Sequence, residues 1–163
     1  MYNVVVPTVQ IIYASGSGHT EYVVNALREY LKEKAPKVSV SMTRAEQAQP
    51  EDFSKGDFLI LGSGTWNTGG IEGQLQPHMY ELLMKRAKDV VLAKKKCTSI
   101  ALGDERYYYT ARAGEHLRKF LVDHGGDYCF DQLTIVNEPY GQEEKVKKWI
   151  DAFLSKFREF VSS

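Results

Sequence analysis

Apolar residues along this chain fall into two kinds of run that take turns. Nearly unbroken runs occupy residues 9–13, 57–62, 97–102 and 128–136, and a fifth stretch, 38–42, alternates apolar with polar. Between them apolar residues recur at three- and four-residue spacing: Tyr22, Val23, Ala26 and Leu27; Met79, Leu82 and Leu83; Leu117, Phe120 and Leu121; Trp149, Ile150, Phe153, Leu154 and Phe157. The unbroken runs predict strands buried on both faces, the alternating one an edge strand, and the spaced ones helices packed along one side. The punctuation agrees. Pro36 closes a helix over 18–34, Gly125-Gly126 stops the helix through Leu117, and the polar stretch 44–55, with Pro50, holds a loop or a short helix. Strands alternating with helices imply an α/β fold, a parallel sheet covered on both faces with right-handed crossovers. No internal repeat or linker interrupts residues 1–163, so a single domain is expected.

Such sheets bind ligands beyond the carboxyl ends of their strands, where the strand order reverses. Three loops at those ends, 15–20, 63–70 and 103–110, carry the candidate chemistry. The first holds Ser15, Gly16, Ser17, Gly18, His19 and Thr20 ahead of a helix. Its glycines let N–H groups converge, its hydroxyls add donors, and the helix brings its positive dipole end, so it suits a phosphate. It is not a Walker A loop, because no Gly-Lys-[Ser/Thr] follows. Glu21 stands where a dinucleotide fingerprint needs a third glycine, and no acidic residue ends the second strand, which disfavours NAD. The loop has no lysine or arginine, so backbone N–H groups, the Ser15, Ser17 and Thr20 hydroxyls and His19 are its means of holding an anion. In the second loop Trp66 sits among residues that bend easily, a poor setting for a core tryptophan. In the third, Tyr107, Tyr108 and Tyr109 follow Gly103-Asp104. These tyrosines can pack on neighbouring helices, or one can join Trp66 in sandwiching a flat ring.

Composition narrows the field. The 163 residues are 43% hydrophobic and 26% charged, with basic and acidic side chains equal at 21 each. That balance marks neither a nucleic-acid binder nor a strongly acidic carrier. Cys97 and Cys129 have no metal-ligand spacing and lie in apolar runs, the pattern of buried, reduced thiols in an intracellular setting. His19, His78, His116 and His124 form no ligand set. No Gly-x-Ser-x-Gly elbow is present, and Ala14-Ser15 stands where a receiver domain would need an acidic pair. Without a basic leader or a membrane-spanning run, a cytoplasmic protein is expected. The basic cluster Lys85-Arg86, Lys88 and Lys94-Lys95-Lys96 reads as a solvated face at the end of the sheet away from the three loops.

Taken together, the loops resemble those of the flavodoxin family. Residues 15–20 are similar to its phosphate loop, Gly64-Thr65-Trp66 with Asn67 to its tryptophan-bearing loop, and Gly103-Asp104 with Tyr107 to its third. The likeness runs from Val9 to the last helix, and the fifth strand shows no long insertion, as in the short-chain type. It implies a doubly wound five-stranded parallel sheet of order 2-1-3-4-5, tight non-covalent FMN, and single-electron shuttling between redox partner proteins through the semiquinone/hydroquinone couple. It further implies a monomeric carrier rather than an enzyme. Ser15, Gly16, Ser17, Gly18, His19 and Thr20 would surround the phosphate. Trp66 would cover the inner face of the ring and Tyr107, with Tyr109 nearby, the outer. Gly64, Thr65, Asn67, Thr68, Gly69, Gly103 and Asp104 would frame its polar edge, with the Asn67–Thr68 peptide turning toward N5 on reduction. Glu72, Asp104 and Glu105 would oppose a second negative charge on the ring. Arg106 and the overall neutrality depart from the family's usual acidity. A flavin-dependent NAD(P)H:quinone reductase is the alternative, and it would need an open flavin face that a tryptophan and a tyrosine would cover.

Overall fold

The computed structural model describes residues 7–105 and 110–160. Five parallel positions make the sheet, in the order β2-β1-β3-β5-β6, with β1 at Thr8–Ala14, β2 at Ser39–Arg44, β3 at Phe58–Thr68, β5 at Lys96–Gly103 and β6 at Asp127–Tyr128. A short β7, Leu133–Val136, pairs with the far half of β5, and β4, Ile71–Leu75, pairs antiparallel with the end of β3. The expected order 2-1-3-4-5 is therefore present, counting β6 and β7 as one position. The chain leaves β1 toward β2 on one side and returns to β3 on the other, so the order reverses at the carboxyl ends of β1 and β3.

Burial on both faces follows from the unbroken apolar runs. In β1, Ile11 faces one core and Ile12 the other, and in β3 Ile60 and Leu61 divide the same way. On one face α1 (His19–Lys34) and α4 (Glu143–Lys156) lay down Val23, Leu27, Leu31, Ile150 and Phe153, and Phe58 meets Phe153 edge to face at 4.9 Å. On the other, α2 (Pro77–Glu81) with the π turn that continues it and α3 (Ala113–Asp123) supply Met79, Leu82, Leu83, Leu117 and Leu121. No described helix is long and apolar enough to cross a membrane.

Three expectations need correction. The fifth strand is not continuous over 128–136. From Cys97 to Ile100 β5 advances three residues while its partner advances five, from Tyr128 to Leu133, and the surplus bulges away. Side chains take the ladder's place there: Thr98 Oγ1 donates to Phe130 O at 2.7 Å and Trp149 Nε1 to Asp131 O at 2.8 Å. Residues 63–70 are not a free loop either, because β3 runs on to Thr68 and folds back into β4. Gly69 and Gly70, at φ +64° and +78°, make the two-residue turn that such a hairpin requires.

The basic cluster is only partly a solvated face. Lys85, Lys88, Lys94 and Lys96 are exposed, but Arg86 donates to the carbonyls of Ala45 and Ala48, and Lys95 to those of Ser54 and Gly56. Burial pushes the Lys95 ammonium below its usual range. Both side chains tie the 45–56 connection to the fold. Cys97 and Cys129 are free thiols packed against opposite faces of the sheet, Cys97 buried and Cys129 half-buried. Burial raises the Cys97 thiol to about 12 and also raises the Cys129 thiol.

Candidate functional site

The first loop is shaped by Ser15 and Gly18. Ser15 Oγ accepts the Glu21 N–H at 3.1 Å, which pulls the loop over the start of α1, and Gly18 caps the helix at φ +92°. Tyr22 N–H is the first to bond back, to Gly18 O at 3.0 Å. Among the described residues, the N–H groups of Ser17, Gly18, His19 and Thr20 meet no acceptor in the chain, and the Ser17 and Thr20 hydroxyls have no partner. Thr20 is 4% exposed and stands over Gly62 and Gly64. Four N–H groups without an acceptor and two unpartnered hydroxyls at a helix N-terminus make a candidate cradle for a tetrahedral anion.

Trp66 forms a wall beside that cradle. Its indole lies on the backbone of Gly16, where a Cβ would come within 2.5 Å of Cζ2, and its Nε1 is 3.1 Å from where a Cβ on Gly64 would sit. The approach of the ring therefore requires a glycine at Gly16 and leaves only a tight fit for a side chain at Gly64. Trp66 keeps 40% of its surface exposed, unlike a core tryptophan. It borders a cavity of ≈ 640 Å³ whose lining comes from four segments. The first loop gives Gly16, Ser17, His19 and Thr20, and the hairpin gives Gly64, Thr65, Trp66, Asn67, Glu72 and Gly73. Leu102, Gly103, Asp104 and Thr110 follow β5, and Asn137 and Glu138 follow β7.

Ser15, Gly18, Thr68 and Gly69 are not among the residues lining the cavity. Ser15 and Gly18 fold the loop, Thr68 Oγ1 donates to Leu75 O at 2.6 Å, and Gly69 makes the turn. Thr65 lines the cavity while its hydroxyl bridges Leu102 O and the Ala113 N–H, at 2.9 and 3.1 Å. Tyr107 and Tyr109, with Arg106, lie outside the described residues. Gly73, Leu102, Thr110, Asn137 and Glu138 were not singled out from the sequence. Asn137 and Glu138 follow a strand expected to end at 136, and only their position at the sheet's carboxyl edge marks them.

No lysine or arginine lines the cavity among the described residues, whereas Glu72, Asp104 and Glu138 do. Glu21, in the first turn of α1, would repel an anion, but Arg44 at the end of β2 holds its carboxylate at 2.7 and 2.8 Å. Tyr13 packs against the same carboxylate, and burial first, then Glu21, raises its hydroxyl above the usual range. His19 meets Tyr140 edge-on at 5.7 Å, and Tyr140 packs in turn on Tyr22 at 4.7 Å. An anion cradle with no cation among the described residues, a glycine-seated indole and acidic edges fit a phosphate ester carrying a flat, neutral ring, as FMN does.

Comparison with known proteins places the chain as a whole. The family model for flavodoxin matches residues 11–149. "Probable flavodoxin 2" of Bacillus subtilis (strain 168) is 27% identical over 138 residues, which cover 83% of this chain and 85% of that one. The crystal structure of oxidised flavodoxin 2 from Bacillus cereus matches with a TM-score of 0.79 at 28% identity, covering 91% of this chain and 99% of its own. Oxidised flavodoxin 1 from Bacillus cereus shares the fold at TM-score 0.77 and 21% identity, covering 95% and 99%.

Proposed function

The chain belongs to the flavodoxin family, FMN-binding carriers that pass electrons to redox partner proteins, and from that premise we propose how its own residues do this. When bound, FMN supplies one-electron chemistry through its semiquinone/hydroquinone couple. Ser17, Gly18, His19 and Thr20 hold the phosphate through main-chain N–H groups and the two hydroxyls, with Ser15 fixing the loop. Trp66, seated on Gly16 and against Gly64, covers the inner face of the ring, and the likeness of the third loop to that of flavodoxins supports Tyr107 and Tyr109 at the outer face. The main chain of Thr65, Asn67, Thr68, Gly103 and Asp104 meets the polar edge, and Gly69 lets the hairpin close. Asn67 falls in the register shift between Trp66 and Thr68, outside the β3–β4 ladder, so its peptide is free to turn its carbonyl toward N5. Glu72, Asp104 and Glu138 place negative charge at the cavity edge and disfavour a second one on the ring. The protein works as a single-domain monomer in the cytoplasm, and its partners present basic surfaces to that edge.

The observation that carries this reading is the set of four unpaired N–H groups beside the Trp66-walled cavity. The test is a visible spectrum of the purified protein followed by dithionite titration. A yellow protein that passes through a blue intermediate is the expected result. A colourless protein that does not take up added FMN overturns the reading.

A further inference from the structure

Asn137 follows β7 directly and stands at φ +70°, a left-handed conformation that asparagine adopts more readily than other residues with a side chain. From that position it bonds the third loop twice. Its main-chain N–H donates to Gly103 O at 2.7 Å, and its side-chain Oδ1 accepts the Glu105 N–H at 3.1 Å. The two bonds bracket Asp104, and Gly103, Asp104 and Asn137 all line the cavity. The bracket is itself braced. Gln142 Nε2, ahead of α4, donates to Val136 O at 2.9 Å and Glu138 O at 2.6 Å, the carbonyls on either side of Asn137.

We propose that Asn137 is a positioning residue that sets the main chain of Gly103, Asp104 and Glu105 against the ring end of the cavity. The proposal rests on the FMN reading above. The Asn137 bonds bear on the third loop and none reaches the phosphate cradle, so their loss is felt by the ring and not by the phosphate. Two substitutions separate the side chain from the backbone conformation. Asn137→Gly keeps the positive φ and removes the acceptor, whereas Asn137→Asp keeps both.

The affinities of FMN and of riboflavin, which lacks the phosphate, are measured by flavin fluorescence for the wild type and both variants. Loss of one neutral hydrogen bond corresponds to roughly three- to tenfold weaker binding. Asn137→Gly should show that loss equally for both flavins, and Asn137→Asp should recover it, because the oxidised ring carries no charge to repel. An unchanged Asn137→Gly, a loss confined to FMN, or an Asn137→Asp no better than the glycine variant overturns the proposal. Amide hydrogen exchange in flavin-free protein provides an independent arm. The Glu105 N–H should exchange faster in Asn137→Gly than in the wild type, and equal rates count against the bracket. A wild-type protein that binds neither flavin sinks the functional reading, while the exchange arm still judges the bracket.

Discussion

At Gly16 the missing side chain is what lets the Trp66 indole lie down on the first loop. A methyl group there overlaps the ring edge, and relief requires the indole or the loop to shift, at a cost of about 1–3 kcal/mol. Gly16→Ala should therefore lower the thermal stability of the flavin-free protein and, because the indole no longer lies in its seat, weaken FMN binding by roughly tenfold or more. Fluorescence titration checks this, and an unaltered affinity would show that the flavin does not use the indole in this place. Asn67 tests a different property. Proline there locks φ and removes the N–H, so Asn67→Pro should lower the fraction of blue one-electron form that accumulates during reductive titration. If that fraction stays the same, the Asn67–Thr68 peptide does not turn.

Among the connecting elements, the short 3-10 turn Pro50–Ser54 shows how a polar stretch is held. Asp52 accepts the Gln49 N–H and the Lys55 ammonium, each at 2.7 Å, and the Lys55 bond above all keeps its carboxyl below the usual carboxylate value. A depressed folded-state value stabilises the fold above the ordinary 3.8 and stops doing so as pH falls through the lower folded value. Asp52→Asn should cost about 1 kcal/mol at neutral pH and flatten the acid limb of the stability curve, as measured by urea unfolding from pH 7 downward. An acid limb as steep as in the wild type would place the titration elsewhere. The same stretch shows the limit of legibility. Pro50 and the i, i+3 pairing of Asp52 with Gln49 are written locally, but the Lys95 bonds to Ser54 and Gly56 come from a distant group whose pairing no local pattern records.

Over the whole molecule, neutrality conceals an uneven distribution of charge. Glu72, Asp104 and Glu138 line the cavity at the carboxyl edge, while exposed Lys94 and Lys96 flank the start of β5, at the far end of the same strand. With the phosphate added, the mouth becomes more negative still. A cationic small-molecule oxidant should take electrons from the reduced protein faster than an anionic one of similar potential, and added salt should narrow the gap. Stopped-flow rates at low and high ionic strength check this, and equal rates at low salt would show that the mouth exerts no steering. Saturating FMN should also stabilise the fold, by about 2.7 kcal/mol at a hundredfold excess over the dissociation constant.

The sequence by itself determined the order of strands and helices, the two-faced burial of the sheet and the place of three loops at its carboxyl edge, because periodicity, Gly/Pro punctuation and helix-start chemistry are written locally. The split of the last strand, the β3–β4 hairpin, the seat of Trp66 on Gly16 and the Asn137 bracket were decided only by tertiary structure. Each depends on which groups from distant segments find one another. Trp149 takes the Asp131 carbonyl from a helix elsewhere in the chain, and Asn137 meets Gly103 and Glu105 only because β7 ends beside β5. A hydrogen bond needs both partners placed to within tenths of an ångström, and spacing along one stretch of chain specifies neither.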